Sequence, residues 1–423
     1  MLESNRNSNI LVYFLSVIFL FYISFLICAK IYSPFWFHQP VYHIYEIYPK
    51  ISFSKEPYWK RKRLPTNGIF CDTKHIVTIP TVEIKDVTWE TILHLIQGHY
   101  VDPDFVLNHI TLPGFKDKLY ADSYISCYYE NIVKEVKPTV FIETADIEHL
   151  FGVLASRPVQ IRFSKYVEKN CMIHDLLLTC VHEKYKKKNL SRNLIQTHIY
   201  QHSLRQGKTS GYVFQKHVDL CKAIIPLVQY QTFTFVLRDT TIHKLPRNYS
   251  IRCLNKSHID LWRGIYMQLL LQFEVSIMPD FQYTLDWFLQ DRYTIYVTVY
   301  TEEKIEHVHG IYVLEKTNMS WENENLEKPH MLRLAASMNF GRMHTHDIQH
   351  VLFFRGFLNC LNSYLLDRKD IGILEIPCIS DNDLILSKWQ EKYELRNVMQ
   401  SAYYLYNLIY PNSPIQTNQF ILL

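Results

Sequence analysis

Three stretches hold residue types whose spacing could do chemistry. Cys180-Val181-His182-Glu183-Lys184-Tyr185-Lys186-Lys187-Lys188-Asn189-Leu190-Ser191 runs from a strand-like segment through a lysine turn into a helix start. Free amides at a helix amino terminus, set beside lysines, favour a phosphate group. A solvated lysine turn is the plainer alternative. Phe35-Trp36-Phe37-His38-Gln39-Pro40-Val41 places aromatic rings directly behind an apolar run, where rings also serve as an interfacial belt. The carboxyl terminus, from Tyr403-Tyr404-Leu405-Tyr406-Asn407 to Phe420-Ile421-Leu422-Leu423, is apolar where chain ends are ordinarily polar and loose. A terminus docked inside the body would carry its α-carboxylate there.

Other chemistries find less support. There are 20 His but no HExxH. His307 and His309 fall on alternate strand positions with Glu306 on the opposite face, so no ligand cluster forms and no metal is expected. The 9 Cys contain no CxxC pair, which fits isolated reduced thiols better than a disulfide framework or a zinc ribbon. With 11 Gly in 423 residues there is little material for phosphate-cradling loops, and neither GxGxxG nor GxxxxGK[ST] occurs. Lys and Arg number 45 against 41 Asp and Glu; the resulting +4 is too weak to argue for nucleic acid as a partner.

The elements that must position these stretches begin with Ile10–Ala29, twenty uncharged residues between Arg6 and Lys30. At 1.5 Å per residue that run spans about 30 Å, the thickness of a hydrocarbon core. Lys30, Lys50, Lys55 and Lys60–Arg63 follow it, and positive charge near a span favours the cytosol. A single-pass membrane protein with a cytosolic carboxyl-terminal body is expected. Beyond the anchor, 86–97 reads as a helix capped by Asp86 or Thr88, with Ile92, Leu93 and Ile96 on one face. Strands are expected at 140–143, 150–156, 159–163 and 175–181, then a helix from Ser191 to about Leu204. The second half repeats the mixture: helices at 257–273 and 347–366, strands at 293–300, 309–315, 331–338, 371–376 and 403–409. Such alternation predicts an α/β or α+β body of two similar units.

The three stretches together resemble the glycylpeptide N-tetradecanoyltransferases, or protein N-myristoyltransferases. Phe35–Val41 is similar to the family's FWxTQPV, with His38 at the Thr position; Leu178–Ile195 is similar to its acyl-CoA segment FLCVHKKLRSKRLAPVLI without a gap. Tyr403–Asn407, Pro411 and Leu423 keep the spacing of its YYLYNW end. Weaker similarities lie at 99–104, 152–158 and 209–213, so the match covers residues 33–423.

That resemblance implies two acetyltransferase-like halves related by a pseudo-twofold axis: 33–235 for acyl-CoA and 236–423 for the peptide. They would follow a tail (1–9) and a transmembrane anchor (10–30). It implies that backbone amides of Leu178 and Thr179 form an oxyanion hole, with Cys180 and Val181 continuing the strand. Lys186, Lys187, Lys188, Asn189, Leu190 and Ser191 would hold the CoA phosphates, and Phe35, Trp36, Gln39, Pro40 and Val41 would cover the cofactor. Asp102, Asp104, Tyr404 and Tyr406 would meet the peptide. The Leu423 α-carboxylate would take the proton of an amino-terminal glycine, which fits an α-amine of pKa near 7.7–8.0 that must be deprotonated before it attacks. Implied partners are myristoyl-CoA, glycine-starting proteins and, through 10–29, a membrane. One family element has no counterpart: Glu391-Lys392-Tyr393-Glu394-Leu395-Arg396 stands where the family has the glycine loop KFGxGDG. An acyltransferase is therefore one reading, and an inactive relative that binds acyl-CoA or a membrane partner is the other.

Overall fold

The computed structural model describes residues 2–423 apart from 47, 101–106, 109–111, 121, 131–149, 187, 218–219, 222, 238–242, 291, 321–329, 344–346, 367 and 369. Asp102, Asp104, Lys187 and the strand expected at 140–143 lie outside the described residues. Helix α1 (Leu2–Tyr32) contains the apolar run, and over Val12–Tyr32 it is long and apolar enough to cross a membrane, with none of that window buried.

The body is built on one sheet. Its principal strands are β1 (Ile76–Pro80), β2 (Tyr124–Tyr129), β3 (Leu150–Phe163), β4 (Cys171–Val181), β5 (Tyr212–His217), β6 (Val228–Val236) and β7 (Tyr249–Cys253). They continue with β8 (Val275–Met278), β9 (Tyr293–Glu302), β10 (Ile305–Ser320), β11 (His330–Asn339), β12 (Ile371–Pro377), β13 (Leu395–Tyr406) and β14 (Phe420–Leu422). The covering helices are α2 (Asp86–His99), α3 (Leu190–Gln206), α4 (Ile259–Gln272), α5 (Asp347–Leu365) and α6 (Asn382–Trp389). Along the sheet the order is β14-β8-β3-β4-β5-β13-β6-β12-β11-β10-β9-β7, with β2 and β1 attached through β3.

That order is palindromic at its centre. In β4-β5-β13 and β11-β12-β6, a parallel pair is flanked by an antiparallel strand. The pairs are joined by α3 in one half and α5 in the other, because a parallel connection must cross over a sheet face. The pseudo-twofold axis passes between β13 and β6, which pair antiparallel. The fold is thus the mixed α/β architecture of two acetyltransferase-like halves.

Local sequence explains most elements. In α2, Thr88, Trp89, Ile92, Leu95 and Ile96 are buried, a 3.6-residue stripe in which Leu95 rather than Leu93 completes the face. Lys85, not Asp86 or Thr88, holds its cap position and makes no side-chain cap bond; Asp86 lies in the first turn, where a carboxylate suits the helix dipole. Helix α3 ends at Gly207 in a left-handed conformation (φ 64°) that glycine adopts at no steric cost. The strands expected at 150–156 and 159–163 are one continuous β3, since Pro158 needs no amide to stay in register with His174. At the terminus, Phe420 enters the core around Val159 and Tyr403, while Ile421 and Leu423 enter the core of Trp262, Leu269 and Met338. Phe420 and Ile421 are 0% exposed, and burying each contributes about 1.5–3 kcal/mol to holding the chain end in place.

Candidate active site

Strands β4 and β5 pair only at His174–Leu176 with Tyr212–Phe214. Beyond Leu176 they fork, and β4 continues bonded to β3 alone, so its backbone groups on the open side are available to a ligand. A bulge opposite Ala155–Ser156 leaves Leu177 out of register, which re-aims Leu178 and Thr179 at the mouth of the fork. A cavity of about 780 Å³ opens there, within the range of small-molecule sites. Leu176 to Thr179, Phe35, Trp36, Ser191, Tyr406, Leu422 and Leu423 all contribute to its wall.

Residues far apart in sequence meet at this wall. Tyr406 donates its hydroxyl to Gln39 Oε1 (2.9 Å), and burial pushes its pKa upward, which keeps the phenol protonated and donating. The Asn407 amide donates to the Pro40 carbonyl (2.7 Å), and Val41 bridges Tyr406. Phe35 and Val41 are buried, and Trp36 stacks on Phe214 (4.9 Å), which stacks in turn on Tyr404 (5.2 Å). Tyr404 does not line the cavity, and its hydroxyl accepts the Cys221 amide (3.1 Å); Tyr403 lines the wall together with Tyr406. Sequence reading did not single out Tyr403.

In the lysine turn, the short helix Glu183–Lys186 leads to Asn189, which is left-handed (φ 58°) and starts α3. The Arg192 and Asn193 amides return to the Asn189 carbonyl (3.0 and 3.3 Å), and first-turn amides otherwise lack helical partners. Lys186, Lys188, Asn189 and Ser191 are exposed, Leu190 is buried, and Lys188 Nζ lies 4.6 Å from the Tyr185 ring. Val181 is 9% exposed and Cys180 1%, its thiol raised to about 12 by burial, so Cys180 is a core residue with no nucleophilic thiolate. Leu423 lies at the wall, and its amide donates to the Ile277 carbonyl (3.0 Å).

Part of the cavity wall is charged, which sequence reading missed. Arg157 Nε donates to Asp175 (3.3 Å), Arg292 Nη2 to Glu315 (2.6 Å), and Arg333 Nη2 to Glu375 (2.8 Å). Arg333 Nη1 also lies 3.7 Å from Glu315. Burial opposes the Glu315 charge, but Arg292, Arg333 and Lys118 outweigh it and hold the carboxyl at about 2. Lys118 is lowered to about 8, chiefly by burial and then by Arg292. A signal was present in part: Arg333 and Glu375 are each the single charged residue of a largely apolar strand.

A second polar cluster lies behind β4. His198 bonds Ser126 and Ser156 (2.8 Å each), His202 bonds the Tyr212 hydroxyl (2.5 Å), and His174 packs on His202 (4.2 Å between rings). Among the described residues no group of three or more His, Cys, Asp or Glu side chains has metal-holding geometry. His309 is buried against Gln349 (2.6 Å), while His307 is exposed and stacks on Tyr300 (5.1 Å).

No family model and no curated protein matches this sequence. Solved structures do. The crystal structure of Saccharomyces cerevisiae N-myristoyltransferase with bound myristoyl-CoA aligns with a TM-score of 0.63 at 14% identity, covering 91% of this chain and 94% of that one. A structure of the same yeast enzyme with myristoyl-CoA and inhibitors gives a TM-score of 0.65 at 13% identity over 91% of each chain. The chain therefore has the N-myristoyltransferase fold.

Proposed function

We propose that this chain is an acyltransferase that moves a long-chain acyl group, of the myristoyl class, from acyl-CoA to the amino group of an N-terminal glycine. The observation that carries this reading is the cavity at the strand fork, which Leu178, Thr179 and Leu423 line together. In this reading the Leu423 α-carboxylate accepts a proton from the glycine ammonium. The freed amine forms a bond to the thioester carbon, and the Leu178 and Thr179 amides stabilise the oxyanion, an effect worth about 2.7–4 kcal/mol per donor. The carbon–sulfur bond then breaks, the proton held by the carboxylate passes to the CoA thiolate, and the amide nitrogen gives its second proton to the freed carboxylate and from there to water. Apolar groups of Trp36, Phe214 and Ile195 suit the acyl chain, while Lys186, Lys188 and the first turn of α3 suit the CoA phosphates. The anchor at 10–29 would hold the enzyme on a membrane with its body in the cytosol, and no metal is required.

The test combines the full chain in detergent, myristoyl-CoA and glycine-starting peptides, following CoA release and peptide mass together. A gain of one acyl group, absent with alanine-starting controls, supports the reading. The glycine-free stretch Glu391–Arg396, whose Tyr393 stacks on Trp389 (3.9 Å), favours a second reading as an acyl-CoA-binding protein. Tight binding without transfer to any acceptor would select it.

A further inference from the structure

The charged wall is not electrically balanced. Lys118, Arg157, Arg292 and Arg333 face Asp175, Glu315 and Glu375, and Arg192, Lys216 and Leu423 line the same cavity, so basic groups outnumber carboxylates. Each carboxylate is already engaged by an arginine, and Glu315 bridges two. Lys118 is the remainder: Arg157, Arg292, Arg333 and Glu315 all act on its charge, yet among the described residues no hydrogen bond reaches its ammonium and no carboxylate lies within 4.0 Å of it. The Leu423 carboxylate does not supply the missing charge, since no described cation lies within ion-pair distance of it. An ammonium in a half-buried, cation-rich wall is costly without a partner. Its compact charge accepts any oxyanion within reach, whereas the arginine forks are committed. Lys118, a single uncommitted ammonium, is matched by one negative charge, that of a carboxylate.

We infer that the acyl acceptor carries a carboxylate within a few bonds of its reacting amine, and that Lys118 is the specificity-determining residue that receives it. This rests on the reading that an amine is acylated in this cavity. The carboxylate could belong to an acidic side chain following an N-terminal glycine or to a free amino acid, and the two sources are separable by experiment. A hydrogen bond to a charged group is worth about 1.5–3 kcal/mol, or roughly 10- to 150-fold in discrimination.

The experiment uses the full chain in detergent with myristoyl-CoA and paired acceptors: Gly-Asp against Gly-Asn peptides, and free glycine against glycinamide. The acid of a pair should exceed its amide at least tenfold in kcat/KM, chiefly through KM. Preference in the peptide pair alone assigns the carboxylate to a side chain; preference in the glycine pair assigns it to an α-carboxylate. In Lys118→Met the ratio should collapse towards one, and Lys118→Glu should turn the preference to a Gly-Lys peptide. Equal kcat/KM for acid and amide in the unaltered protein overturns the inference and leaves the transferase reading standing; that comparison needs no variant to fold. If no acceptor is acylated, melting shifts with glycylaspartate and glycylasparagine decide. Stabilisation by the acid alone, lost in Lys118→Met, keeps the carboxylate site and sinks the transferase reading, whereas equal shifts sink the inference.

Discussion

Acid should unfold this protein through three histidines that have no role in the proposed transfer. His198 and His202 are 0% exposed and His174 8%, and burial lowers their pKa values from 6.5 to about 3, 2 and 4, with His174 adding to the shifts of the other two. Lys208 adds to those of His174 and His202. The folded state thus keeps all three neutral, while the unfolded chain protonates them below pH 6.5. A depressed folded-state pKa means that the stability is fully present above 6.5 and is lost as pH falls through the interval beneath it. Each histidine forfeits about 1.3 kcal/mol between pH 7.0 and 5.5, so three forfeit about 4 kcal/mol. Against a total stability of about 5–15 kcal/mol that is a large share. For a cooperative body of this size it corresponds to a Tm shift of about 4–5 °C. His309, His99 and His243 shift in the same direction and add to the slope. Glu315 does not contribute in this window, because a carboxyl lowered to about 2 costs stability only below about pH 4.5. Calorimetry or circular-dichroism melts of the detergent-solubilised chain at pH 7.0, 6.5, 6.0 and 5.5 measure the slope. A His202→Leu variant should lose about a third of the effect. A Tm that stays flat from pH 7.0 to 5.5 would refute the reasoning.

Three further outcomes are expected. Extending the chain past Leu423 by a short tag should reduce acyl transfer at least 100-fold while leaving acyl-CoA affinity within a fewfold, read by CoA release and calorimetry; a fully active tagged enzyme would remove the carboxylate as base. Tyr406→Phe leaves the buried Gln39 oxygen without its donor and should cost about 1–3 kcal/mol in denaturant unfolding. Gly310→Ala brings a methyl to 2.7 Å from the Phe353 ring, so overpacking between β10 and α5 should destabilise by about 1–3 kcal/mol; a neutral result would mean the helix can move aside.

Local chemistry alone marked the apolar run at 10–29, most of the stripe of α2, the helix at α4 and the alternation of mixed strands and helices, because these follow from the spacing of apolar residues. The Phe35–Val41 stretch, the lysine turn and the apolar terminus were also legible one by one, since each breaks a local expectation. Tertiary structure decided what they share. The Gln39–Tyr406 bond joins positions 367 residues apart, and the fork between β4 and β5 exists only once α3 carries the chain across the sheet. The direction in which Tyr403 and Tyr404 point depended on the register of β13 against β5 and β6, which no single strand specifies. The charged wall was the least legible. Arg157, Glu315, Arg333 and Glu375 are charges on four different strands, and a charge in a strand ordinarily marks a solvent face. Only pairing across the folded sheet gives those charges partners and leaves the Lys118 ammonium, among the described residues, without an ion pair, because Coulomb interactions depend on distances through space that chain order does not fix.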